Sequence, residues 1–165
     1  MAENFNLIFG SQAPETASWS DADYQTGWNT VGSTPPTAEQ FDFSQYDYIV
    51  DAIDTVTGKI TLVVNADKSG TPIISSMGAG NKLDASAFEV ADIYSTSVCP
   101  LARVMRTELR KRKIKSLKVV YSKETPKNPP YRIEGEKTVG SLSFVPSVMG
   151  LIIAGEVIKD ICKIG

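Results

Sequence analysis

The chain has 165 residues, of which 42% are apolar and 22% charged, with a formal net charge of −2. Length and composition fit one folded globular domain and exclude fibrous, collagen-like and wholly disordered classes. No window reaches the roughly 18–20 apolar residues of a membrane span, and no basic segment precedes an apolar run at the N-terminus, so no membrane association and no signal peptide is expected.

Residues 1–42 are rich in Ser, Thr, Asn, Gln, Asp, Gly and Pro, with Trp19, Tyr24, Trp28 and Phe41 scattered among them. No helical or strand period lasts there, and 29–40 (NTVGSTPPTAEQ) reads as a turn-rich linker. This stretch is expected to be an acidic leader, loosely packed and separate in origin from residues 43–165. Beyond it, strand and helix alternate. Residues 48–53 read as a strand and 55–68 as a helix, with Gly58 a weak point worth about 1 kcal/mol against Ala. Residues 71–77 read as a second strand, giving a βαβ unit with parallel pairing and a right-handed crossover. A short strand over 88–93 follows. Residues 97–112 read as an amphipathic helix, with Val98, Leu101, Ala102, Met105 and Leu109 on one face and Pro100 tolerated in its first turn. Residues 116–121 read as a strand, 122–138 as a Pro-containing loop and 146–161 as a helix, whose Gly150 and Gly155 suggest close packing against a neighbour. The fold class is α/β, with a partial Rossmann-like, mostly parallel sheet.

Asp51 and Asp54 bracket the carboxyl end of the first strand, where ligands sit in open α/β sheets. Asp54 can cap the following helix, or hold a metal-bound phosphate, since Mg²⁺ favours one or two carboxylates plus phosphate oxygens. Asp51 reads as structural, and Lys59 reads as a solvated helix lysine or a phosphate contact. Gly78, Gly80, Asn81 and Lys82 follow the second strand, where glycines let a backbone approach a ligand closely; a plain crossover turn is the other reading. Cys99, near a helix N-terminus, invites a nucleophile reading, but the chain has no His to raise its thiolate content. Cys162 is the second cysteine. Two cysteines make no disulfide framework, and reduced thiols in the cytoplasm are expected.

Charge is distributed unevenly. Residues 1–58 hold nine acids and no base, whereas 59–165 hold all 17 Lys and Arg and the other ten acids, a net of +7. Arg103, Arg106, Arg110, Lys111, Arg112, Lys113 and Lys115 crowd one stretch around the single acid Glu108. Such a run suits a phosphate backbone or a solvated helix face.

Four blocks in order, 46–59 (YDYIVDAIDTVTGK), 72–84 (PIISSMGAGNKLD), 90–112 (VADIYSTSVCPLARVMRTELRKR) and 140–160 (GSLSFVPSVMGLIIAGEVIKD), closely resemble the tRNA threonylcarbamoyladenosine dehydratases. These belong to the ThiF/MoeB-type adenylating enzymes, relatives of the ubiquitin-activating enzymes. The resemblance implies ATP and Mg as cofactors, with Asp54 and Thr55, and secondarily Asp51 and Lys59, at the nucleotide. It implies tRNA as a partner, bound by the basic run, and a homodimer, and it leaves room for a sulfur-transfer or other protein partner. The implied activity is cyclisation of threonylcarbamoyladenosine through an adenylated carboxylate.

The resemblance also implies an upstream strand–Gly-rich-turn–helix unit, which residues 1–42 do not match. That stretch faintly resembles a phage tail segment, and the chain is expected to be a truncated or rearranged form with an exposed sheet edge or face, leaving it either marginally stable or buried there by self-association, with the leader able to help. Two other readings stay open: a non-catalytic nucleic-acid-binding remnant, and a phage-derived structural or interaction protein.

Overall fold

The computed structural model describes residues 7–9, 42–127 and 139–164. Five strands form one sheet: β1 (Leu7–Phe9), β2 (Tyr48–Asp51), β3 (Ile73–Ser76), β4 (Phe88–Asp92) and β5 (Lys118–Ser122), in the order β1-β2-β3-β5-β4. The β1–β2, β2–β3 and β3–β5 pairs are parallel, and β4 runs antiparallel to β5. Among the described residues three α-helices cover the sheet: α1 (Val56–Ser69), α2 (Pro100–Lys111) and α3 (Phe144–Cys162).

Alternation along β2 sorts the layers. Ile49 faces one side, packing with Leu62 and Ala66 of α1. Tyr48 and Val50 face the other, packing with Val145, Met149, Ile153 and Val157 of α3. Ala102, Met105 and Leu109 of α2 join Val63 of α1 and Val119 of β5 in a third cluster. Helices on both faces are what a parallel sheet requires, because its strands have two apolar faces to bury. Each fully buried Leu, Ile or Val side chain contributes about 1.5–3 kcal/mol.

The helix ends depart from the sequence expectations for local reasons. Thr55, not Asp54, caps α1: its hydroxyl accepts from the Gly58 N–H at 3.3 Å. Gly70 ends α1 in the left-handed region at φ 74°, where a residue without Cβ carries no steric cost. Helix α2 starts at Pro100 rather than at residue 97, because proline suits the first helical position and disfavours helix in the residue before it. Val98 therefore lies outside α2, at φ 60° and 51% exposed, and does not share the buried face. Helix α3 begins two residues earlier than expected. Gly150 and Gly155 do not mark close packing, since among the described residues a Cβ on either would meet nothing within 4 Å.

The edge beside β2, expected to be bare, is paired. Leu7, Ile8 and Phe9 register with Tyr48, Ile49 and Val50. Part of the stretch read as a loose leader thus adds a strand, and satisfies backbone groups that an open edge would leave unpaired.

Candidate functional site

At the carboxyl ends of β2 and β3 the chain leaves both strands and opens a cleft of about 670 Å³. One wall is the 52–54 turn after β2, and another is Met77 to Gly80 after β3. Leu101, from the first turn of α2, closes one side, and Val139, Ser141, Pro146, Met149 and Ile153 close the other. The lining is mainly apolar, with a few polar groups set into it, as small-molecule sites usually are. A second groove of about 590 Å³ runs between α1 and α2. It touches no strand end, and two of its charged liners, Glu108 and Arg112, pair with each other at 2.7 Å.

Beneath the cleft lies a buried ion pair. Asp51 is fully buried on the α1 side of β2, and Lys59, from the start of α1, reaches in to meet it. Lys59 Nζ stands 3.3 Å from each carboxylate oxygen and donates to the Ser76 carbonyl at 2.7 Å. The Asp51 carboxylate also accepts from Ile53 N–H at 3.0 Å and Ser75 Oγ at 2.5 Å. Burial pushes the Lys59 pKa below its usual value, while the Asp51 charge and hydrogen bond pull it back up. Lys59 is therefore not the solvated helix lysine expected from its position. Its ammonium and the Asp51 carboxylate are engaged with each other and with Ser75, Ser76 and Ile53. Asp54 differs: its residue is exposed, at the rim of the cleft. Thr55, beside it, is exposed, with its hydroxyl used in the cap.

Of the loop after β3, Gly78, Ala79 and Gly80 border the cleft. Asn81 and Lys82 do not line it. Asn81 takes a left-handed conformation at φ 57°, donates its N–H to the Gly140 carbonyl at 2.7 Å and accepts from Lys127 N–H at 2.7 Å. Lys82 turns inward, 2% exposed, toward the Ser122 carbonyl. Burial lowers its pKa, against the nearby Cys99 and Glu124. Cys99 is buried as well, and its side chain makes no cap.

None of the basic run lines the cleft, and apart from Arg103, in the first turn of α2, and Arg106 it lies toward the far end of that helix and beyond. Helix α2 reaches the cleft with its first turn, and the bases crowd its far end, about 18 Å along at 1.5 Å per residue. Arg103, Arg110, Lys111, Arg112, Lys113 and Lys115 are exposed. Arg110 lies over the Tyr94 ring, 5.2 Å from its centre, and Glu108 pairs with Lys111 at 2.6 Å and Arg112 at 2.7 Å. Arg106 is diverted inward, donating to the Thr96 carbonyl at 2.9 Å and to the Thr96 hydroxyl. Among the described residues no helix is long and apolar enough to cross a membrane, and no group of three or more His, Cys, Asp or Glu could hold a metal ion.

Sequence reasoning missed Val139, Ser141 and Met149, which come from the approach to α3 and from α3 itself. No local signal marks them, because they meet the strand ends only through tertiary packing. The Asp51–Lys59 pair had a weak signal, a carboxylate at a strand end followed by a lysine on the helix face that looks back at the sheet.

A mostly parallel sheet with helices on both faces and a cleft at the carboxyl ends of its strands is the architecture of an open α/β domain. The relatives narrow this class. The chain is 42% identical over 145 residues to a tRNA threonylcarbamoyladenosine dehydratase of Bacillus subtilis, a match covering 79% of this chain and 56% of that protein. It is 46% identical over 81 residues to dehydratase 2 of Saccharomyces cerevisiae, covering 48% of this chain and 18% of that protein. Among solved structures, TcdA (CsdL) superposes with a TM-score of 0.67 at 26% identity, over 79% of this chain and 55% of TcdA. E. coli TcdA in complex with AMP superposes at 0.64 and 24% identity, over 77% of this chain and 54% of TcdA, which bears on the fold alone. No family model matches. The chain is thus similar in sequence to the tRNA threonylcarbamoyladenosine dehydratases, as its sequence blocks implied, and in fold to the part of TcdA that it covers. It spans about half the length of the Bacillus relative and of TcdA.

Proposed function

We propose that this chain carries part of the nucleotide site of an ATP-dependent tRNA threonylcarbamoyladenosine dehydratase. The observation that carries the reading is Asp54, the one exposed carboxylate among the described residues that line a cleft opening on the strand ends in a homologue of these enzymes. In this reading the cleft takes a nucleotide and the carboxylate it activates, pyrophosphate leaves as the adenylate forms, and ring closure at the activated carbonyl expels AMP. When bound, Mg²⁺ would offset charge on the leaving pyrophosphate. The donors fit that role narrowly. Asp54 offers one carboxylate, and Mg²⁺ is commonly held by one or two carboxylates with phosphate oxygens completing its shell. Asp51 and Lys59 support the turn rather than touch the phosphates.

The exposed bases at the end of α2 are proposed as the tRNA contact, through phosphates rather than bases. The proposal also includes a homodimer through α3. Phe144, Leu151 and Ile158 recur at seven-residue spacing there and are 51%, 73% and 59% exposed. A cytoplasmic location is consistent with two free cysteines, Cys99 and Cys162.

The test is ATP–pyrophosphate exchange driven by RNA carrying threonylcarbamoyladenosine. Exchange that requires both the RNA and Asp54 supports the reading, and its absence in folded protein counts against it. A second reading, RNA binding without adenylation, rests on one observation: the only cation lining the described part of the cleft, Lys59, is already paired. It predicts steeply salt-dependent tRNA binding that ATP leaves unchanged.

A further inference from the structure

The structure ties the 51–54 turn down at several points, and the polar ties converge on the Asp51–Lys59 pair. From below, the Asp51 carboxylate accepts the Ile53 N–H at 3.0 Å, so the turn is closed by the same group that pairs with Lys59. From across the sheet, Lys59 Nζ holds the Ser76 carbonyl at 2.7 Å and Ser75 Oγ holds Asp51, which locks the end of β2 to the end of β3. From the helix side, α1 packs so tightly that a Cβ on Gly58 would lie 3.0 Å from Ile53 Cγ2 and 2.8 Å from Thr55 Oγ1. Asp54 sits between Ile53 and Thr55, and its own charge acts on the Lys59 ammonium. A buried charge pair is a weak source of net stability, but breaking one leaves an uncompensated charge in a dry site. Such a pair is therefore well suited to fixing geometry.

We propose that Lys59 is a positioning residue. Paired with Asp51 and hydrogen-bonded to Ser76, it fixes the 51–54 turn, and so sets where the Asp54 carboxylate stands over the cleft, without itself contacting the ligand. The consequence for ligand binding rests on the adenylation reading; the consequence for the turn does not.

Two measurements separate these parts. In calorimetric titration with Mg–ATP, Lys59→Met is expected to weaken binding tenfold or more, and Lys59→Arg less. In an Asp54→Ala background, Lys59→Met is expected to add no further loss, because its effect passes through Asp54. Additive losses would mean direct contact and overturn the proposal. In amide hydrogen exchange, Lys59→Met is expected to speed exchange at residues 52–55 at least tenfold while residues 118–122 stay unchanged. Unchanged exchange at 52–55, or equal acceleration across the sheet, would overturn it. If Lys59→Met does not fold, Asp51→Asn/Lys59→Met, which buries no lone charge, carries the same exchange test with the same expected result. If the unsubstituted protein binds no Mg–ATP, the adenylation reading fails and the exchange data alone decide.

Discussion

Tyr48 donates its hydroxyl to Asp160 at 2.6 Å, joining the first residue of β2 to the last turn of α3 across 112 positions of sequence. Asp160 also accepts from Lys118 at 2.8 and 3.0 Å, so one carboxylate ties two strands to the helix on their shared face. Tyr48→Phe removes one donor and leaves Asp160 with the other. The expected cost is about 1 kcal/mol, or a fall in Tm of about 2–4 °C, read by thermal unfolding.

The same cluster sets a pH dependence. Burial works to raise the Glu156 and Asp160 pKa values, but hydrogen bonds from Lys118 outweigh it, aided by Lys159 at Glu156 and by Tyr48 at Asp160, and hold both carboxyls below their usual range. Acids whose pKa is depressed by folding contribute stability above their unfolded pKa of about 4, and that contribution is lost as pH falls through the folded values. Unfolding scans between pH 7 and pH 3 should show this loss beginning near pH 4. Lys118→Met should make the acid limb shallower. An unchanged limb would mean that other carboxylates set it.

Gly58→Ala tests whether packing or propensity governs the start of α1. Propensity alone favours Ala by about 1 kcal/mol. The added Cβ would meet Thr55 Oγ1 at 2.8 Å and Ile53 Cγ2 at 3.0 Å, and overpacking of this kind costs about 1–3 kcal/mol. The substitution is therefore expected to be destabilising in urea unfolding, against the sign that propensity gives.

Much of this architecture was legible because it is local. The apolar run ending at Asp51 and Asp54 gave a strand and its carboxyl end, and the period of Ala102, Met105 and Leu109 gave the buried face of α2. The errors came from tertiary juxtaposition. A lysine one turn into a helix reads as solvated until Asp51 and Ser76 are brought to it from two strands. Arg106 reads as part of a basic face until the Thr96 carbonyl turns up beside it. Gly150 and Gly155 suggested a close neighbour, yet within the described chain they face open space. The strand Leu7–Phe9 was invisible because three residues carry no period.

Gly80 marks the seam between the loop after β3 and the approach to α3. A Cβ there would lie 3.2 Å from Val139 Cβ and 3.5 Å from the Gly140 carbonyl, and closer still to a Val139 methyl. Gly80→Ala is expected to cost about 1–3 kcal/mol and to disturb the cleft wall. Adding Val139→Ala should recover much of the loss. Independent, additive effects in chemical unfolding would show that the two residues do not press on each other.

In the proposed site Asp54 presents its exposed carboxylate to a metal-bound nucleotide. Calorimetric titration of the folded protein with Mg–ATP, alongside Asp54→Ala, tests it most directly. Saturable binding that weakens tenfold or more in Asp54→Ala is the predicted result. Binding of equal strength in both proteins, or none in the unsubstituted one, would rule out that role for Asp54.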